Sequence, residues 1–153
     1  MLIQKYDDAE TCLKKAIQYK SDMKEAHNDL VMVLRKKGDN KAALKVCEHA
    51  LKKHENDDTL HRNKGNILYA LDEPEKALEA FEAALDLNPH VVDTWVNKGT
   101  VLWKAMEQRD EALAAFDKAL EINPNFMAAV DSRISLEAEI KANRPGFFKR
   151  IFG

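Results

Sequence analysis

The sequence predicts an all-α solenoid of antiparallel helix pairs, on three observations. Two stretches repeat almost residue for residue: HRNKGNILYALDEPEKALEAFEAALDLNP, ending at Pro89, and WVNKGTVLWKAMEQRDEALAAFDKALEINP, ending at Pro124. Gly65 and Gly99 lie 34 positions apart, and Pro89 and Pro124 lie 35 apart. A period of that size marks a supersecondary unit that buries its apolar face only against its neighbours. Within each copy, apolar residues recur at the three- and four-residue spacing of one helix face. Of 153 residues only 5 are Gly and 4 Pro, while Ala, Leu, Glu and Lys dominate. Those residues lose little rotamer freedom in a helix.

Residues 1–23 form a partial repeat, second helix only, because Ala9, Leu13 and Ala16 recur as Ala43, Cys47 and Ala50 one period later. Residues 24–57 form the first complete repeat. His27 matches His61, Leu34 matches Leu68, and Gly38-Asp39-Asn40 turns the chain between its helices. In residues 58–91 the first helix is expected from about Asp58 to Leu71 and the second from about Glu75 to Leu87. Ala77, Leu78, Phe81, Ala84 and Leu85 share one face of that second helix. Pro74 suits its first turn, where no amide hydrogen is needed. Asn88-Pro89 stops it, since a residue before proline is pushed out of helical geometry. Gly65, Ala77 and Ala84 are small enough to let the paired helices close up, with Phe81 and Leu68 filling the space between. Residues 92–126 repeat the plan with one extra residue in the inner turn, near Met106 to Asp110, and Asn123-Pro124 as the stop.

Residues 127–143 belong to one more amphipathic helix, with Val130, Ile134, Leu136 and Ile140 apolar. A solenoid needs a polar-backed terminal helix over its last core face, and this helix is given that capping role. Residues 144–153 form an aromatic and basic tail that the repeat does not explain. Phe147, Phe148, Ile151 and Phe152 cluster on one side of a short helix, with Lys149 and Arg150 opposite. Such a tail is expected to hang loose or pack back on the repeats, to touch a membrane surface weakly, or to plug a neighbouring copy's groove.

Trp95, Gly99, Leu102, Ala112, Phe116, Ala119 and Pro124, with Gly65, Leu68, Ala77, Phe81, Ala84 and Pro89 before them, resemble the tetratricopeptide repeat (TPR) signature of Trp, Leu-Gly, Tyr, Ala, Phe, Ala and Pro. The resemblance covers residues 1 to about 125. It is weaker in residues 24–57, where Val31 replaces the glycine, Cys47 the aromatic and Glu55 the proline. It implies helix pairs stacked into a right-handed superhelix, with first helices lining a concave groove that holds a peptide or protein segment. The groove is then expected to present Asn28, Met32 and Arg35, then Arg62, Asn66 and Tyr69, then Val96, Thr100 and Trp103, with Asn63 and Asn97 beside them. Asn pairs with peptide amides of any sequence, Arg offers a fork to carboxylates, and Tyr or Trp gives flat apolar contact. Some family members clamp the acidic tail of heat-shock chaperones with a Lys-Asn-Asn-Lys-Arg set. Arg62, Asn66 and Asn97 match its first three places, but the last two fall on Ala128 and Ser132, so that clamp is incomplete here.

Other classes find less support. A net charge of -2 gives no electrostatic reason to expect nucleic acid, although Asp58–Phe126 is acidic and the flanking stretches mildly basic. No apolar run approaches the ~20 residues that span a bilayer, and MLIQKYDDAE lacks a signal-peptide core. Two cysteines outside any CxxC spacing suit a reducing, cytoplasmic setting. Cys12 and Cys47 are read as buried, inert thiols on the apolar faces of second helices. His49, His54 and His61 make no zinc spacing, and His27 and His61 hold the repeat position of Trp95, a packing position. Asp57-Asp58 and Asp72-Glu73 suit helix starts. With no Gly-rich phosphate loop and no Ser/His/Asp arrangement, neither an enzyme nor a cofactor site is expected. The reading is a non-enzymatic adaptor or scaffold for a protein segment. The alternative is a structural module that self-associates through its end faces or its tail.

Overall fold

The computed structural model describes residues 2–143, so the predicted tail from residue 144 onward lies outside the described residues. The described residues form eight α-helices and no strand: α1 (Leu2–Tyr19), α2 (Lys24–Lys36), α3 (Asn40–Leu51), α4 (Asp58–Ala70), α5 (Pro74–Leu87), α6 (Val92–Lys104), α7 (Arg109–Ile122) and α8 (Met127–Ala142). The predicted fold class, an all-α solenoid of helix pairs, is the one observed. Contacts divide the chain after Pro89 into an N-terminal body of α1–α5 and a C-terminal body of α6–α8.

In the N-terminal body each helix packs on the next, and α2 also meets α4. Leu30, Val31, Leu34, Ala43, Cys47, Ala50, Leu60 and Ile67 form its buried cluster. Pro74 opens α5 as expected, and Asn88 ends it in an extended conformation (φ -146°, ψ 92°). The α4–α5 pair closes tightly because position 65 has no side chain. A Cβ there would lie 2.6 Å from Cε1 of Phe81, and one on Gly99 would lie 2.6 Å from Cε1 of Phe116 in the C-terminal body. The α2–α3 pair solves the same problem differently. Val31 and Cys47 hold the positions of Gly65 and Phe81 and are both fully buried. A larger residue on one helix meets a smaller one on the other.

The inner turns share a device that the spacing did not reveal. Gly38, Asp72 and Glu107 all take positive φ (81°, 63° and 56°). In the first two turns the following amide returns six-to-one to the helix, Asp39 N to Leu34 O at 3.0 Å and Glu73 N to Leu68 O at 3.0 Å, which satisfies the helix's last carbonyls. The third turn runs one residue longer, as predicted, and Gln108 N reaches Leu102 O at 2.8 Å. Asp39 and Asp57 cap their helices by accepting from Ala42 N and Leu60 N. Asp72 does not act as a helix start, because it carries the left-handed turn.

In the C-terminal body α8 packs on α7 and α6 as α4 packs on α3 and α2. It buries Ala129 and Leu136, with Val130 and Ile140 half-buried. Ile134, expected on the packed face, is 57% exposed. It follows Ala129 by five positions, roughly 140° round a helix of 3.6 residues per turn. Met127 is 65% exposed, so the back of α8 is not uniformly polar. Cys12 is also corrected: it is exposed, and only Cys47 is buried. The repeat register pairs Cys47 with Leu13, and Cys12 sits one position, roughly 100°, away from that core direction.

Candidate functional site

The predicted groove residues fall on both bodies. On α2, Asn28, Met32 and Arg35 stand at i, i+4 and i+7, and on α4 Arg62, Asn66 and Tyr69 do the same, each set forming one stripe. The packing of α2 on α4 brings the two stripes onto one face. Met32 and Tyr69 are exposed, and Asn28, Arg35, Arg62 and Asn66 are half-buried.

Asn63 departs from expectation. It is buried, and its Nδ2 donates to Asn28 Oδ1 at 3.1 Å. Position 63 lies about 100° round α4 from Arg62, toward the α2 contact. The two side chains therefore tie α2 to α4, and Asn63 is a strut inside the face rather than a surface on it.

Arg35 and Arg62 are the chemically distinctive pair. Burial lowers the Arg35 guanidinium pKa, and the neighbouring Arg62 charge lowers it further. The Nε of Arg62 is buried without a hydrogen-bond partner. Neither guanidinium has a carboxylate partner among the described residues. Two partly desolvated like charges without a counter-ion are an unfavourable arrangement that an anion would relieve. Beside Arg35, a cavity of about 350 Å³ is lined by Met32, Arg35, Lys36, Asn40 and Ala70. Lys36 and Asn40 were not anticipated; they flank the Gly38 turn, which folds them toward the end of α4.

On the C-terminal body the expected α6 residues are largely engaged. Thr100 Oγ1 donates to Val96 O of its own helix at 2.8 Å, and Val96 itself is buried. Trp103 was expected to give flat apolar contact. It is half-buried, its Nε1 donates to Glu139 Oε2 on α8 at 2.9 Å, and its ring meets Phe116 edge-on with centroids 6.4 Å apart. Arg109 donates to the other oxygen of Glu139, from Nε at 3.0 Å and Nη2 at 2.9 Å. The indole hydrogen bond first, and Arg109 second, hold the Glu139 carboxyl below its ordinary pKa. Asn97 is half-buried on the same helix. Ala128 and Ser132 lie on α8, which carries no basic side chain at either clamp position.

His27 is buried, as expected of a packing residue, with Nδ1 2.9 Å from Met23 O. His61 is half-buried, with Nε2 2.8 Å from Glu55 O. No group of three or more His, Cys, Asp or Glu among the described residues is placed to hold a metal ion. No described helix is long and apolar enough to cross a membrane.

Comparison with known proteins agrees with this fold. Family models described as tetratricopeptide repeat match residues 3–58, 59–91 and 92–126. A search of curated protein sequences gave no match. Among solved structures, MamA is similar over 94% of this chain and 83% of its own, with TM-score 0.80 and 24% identity. YrrB, described as a TPR protein with an unusual peptide-binding site, is similar over 85% of this chain and 66% of its own, with TM-score 0.75 and 28% identity. The first TPR of Spaghetti (RPAP3) bound to the HSP90 peptide SRMEEVD is similar over 76% of this chain and 92% of its own, with TM-score 0.72 and 16% identity.

Proposed function

The chain belongs to the tetratricopeptide repeat family, and from that premise we propose a non-enzymatic adaptor that holds an extended acidic segment of a partner protein against α2 and α4. The observation that carries the reading is the Arg35–Arg62 pair, half-buried, mutually repelling and without a carboxylate of its own. A guanidinium presents a planar fork to carboxylates, and desolvation strengthens that pairing. Met32 and Tyr69 flank the pair with apolar contact. The SRMEEVD peptide of the RPAP3 complex is acidic. Here Ala128 and Ser132 stand at the last two clamp places, so the anion-binding charge is assigned to the earlier arginines instead. A cytoplasmic setting belongs to the same proposal, since both thiols are free.

The test is fluorescence anisotropy of a labelled Asp/Glu-rich peptide with the parent and with Arg35→Gln/Arg62→Gln. The parent should bind in a salt-dependent manner, and the variant at least tenfold more weakly while melting no lower than the parent. Equal affinity in the two proteins would overturn the reading.

A second reading, self-association, is favoured by Met127 and Ile134, seven positions apart on one exposed face of α8. Light scattering that shows a monomer at every concentration removes it.

A further inference from the structure

A second cavity, of about 330 Å³, opens between α1 and α3 over His27. It lies on a different face of α2 from Asn28, Met32 and Arg35. Ile17, Leu30 and Val46 make its walls apolar, and Lys14 and Lys45 stand at its rim. The position that residues 92–126 fill with Trp95 holds the smaller imidazole of His27 here, and that imidazole lines the cavity.

The imidazole is chemically incomplete. Its Nδ1 lies 2.9 Å from the Met23 carbonyl oxygen. That oxygen only accepts, so Nδ1 carries the hydrogen and donates it. Nε2 is then left buried with no hydrogen-bond partner, on a residue only 1% exposed. A buried polar nitrogen in this state needs a partner. His61, at the same place one repeat later, is satisfied by Glu55 O at 2.8 Å. The cavity beside His61 is also rimmed by both charges, with Lys76 bound to Glu73 at 2.5 Å and Lys64 near Glu48 at 3.9 Å. At the His27 cavity Lys14 is held by Glu10 at 2.5 Å, but Lys45 has no acidic partner among the described residues.

We propose that the His27 cavity is a binding site for a small carboxylic acid with an aromatic or aliphatic body. The volume sits at the small end of the roughly 300–1,000 Å³ range of ligand sites, so the ligand is a compact arylalkanoate or short acyl acid. Its body packs on Ile17, Leu30 and Val46. Its carboxyl group and His27 Nε2 share one proton, donated by the acid to the neutral ring or by the protonated ring to the carboxylate. Lys45 supplies the opposite charge at the mouth, and His49, whose ring centroid lies 6.1 Å from that of His27, forms part of the wall.

The test is an NMR titration of the full chain with 4-phenylbutyrate, 4-phenylbutyramide and 4-phenylbutylamine. The acid should shift the His27 ring and the methyls of Ile17, Leu30 and Val46 saturably, and bind at least fivefold tighter than the amide or amine. His27→Trp places in the gap the residue that the later repeat uses, and should abolish these shifts. Lys45→Glu, on an exposed side chain outside the core, should weaken the acid at least fivefold whether or not His27→Trp folds. Equal binding of amine and acid, acid binding unchanged by Lys45→Glu, or shifts confined to the Arg35–Arg62 face would each overturn the proposal. Charge removal at Arg35 and Arg62 should leave this titration unchanged, which separates its failure from that of the peptide reading.

Discussion

Gly38, Asp72 and Glu107 occupy one backbone conformation at near-equal intervals, yet only the first is a residue suited to it. A side chain in the left-handed region costs roughly 1–2 kcal/mol, partly offset by the greater chain entropy that glycine loses on folding. Glu107→Gly should therefore gain a few tenths to about 1 kcal/mol, a rise of roughly 1–3 °C in thermal unfolding; an unchanged or lower midpoint would contradict the turn assignment. The two thiols make a second contrast at this scale. Burial pushes the Cys47 thiol up to about 12, while Cys12 is exposed. Since the thiolate is the reactive form, a disulfide reagent at pH 8 should label one cysteine per native chain and two after denaturation. Rapid labelling of both in the native state would refute the burial of Cys47, whose Sγ donates to Leu60 O at 3.2 Å.

Between helices, the Val31–Cys47 and Gly65–Phe81 pairs are two solutions to one contact. Cys47→Phe alone should overpack the α2–α3 pair by about 1–3 kcal/mol, and Val31→Gly alone should destabilise it through lost packing and lower helix propensity. The double variant rebuilds the later repeat's contact, so urea titration should give a coupling of at least about 1 kcal/mol, within the range for touching residues. Strict additivity would show that the two positions do not share a contact. The Glu139 junction of α6, α7 and α8 predicts a pH effect. Its pKa is lower folded than unfolded, so it contributes stability above the unfolded value and loses it as pH falls through the folded one. Glu139→Gln should melt below the parent at neutral pH. The gap should close as pH drops below the usual glutamate value of about 4.3, and a gap independent of pH would deny the carboxylate this role.

Across the molecule, what was legible in the sequence was what repeats. Pro74, Asn88-Pro89 and Asn123-Pro124 act through local backbone geometry, so the predicted helix ends came within a residue or so of those observed. Rotational position within a helix was less legible. Asn63, Cys12 and Ile134 were each assigned to a face by residue type or spacing, and the actual neighbours decided otherwise. The pairing of Trp103 with Glu139 spans thirty-six positions and follows no repeat, because α8 lacks the signature that would have aligned it. The arginines were visible as candidates, but their lack of counter-ions is a property of the folded arrangement.

The exchange of bulk between Val31–Cys47 and Gly65–Phe81 also bears on how such a chain could have been lengthened by gene duplication. A repeat copied whole brings its own matched helices and folds against itself without conflict. A crossover between the two helices of a pair would join valine to phenylalanine, a clash, or glycine to cysteine, a hole. A splice in the loops between repeats keeps each matched pair together, so a designer joining modules would do well to cut there.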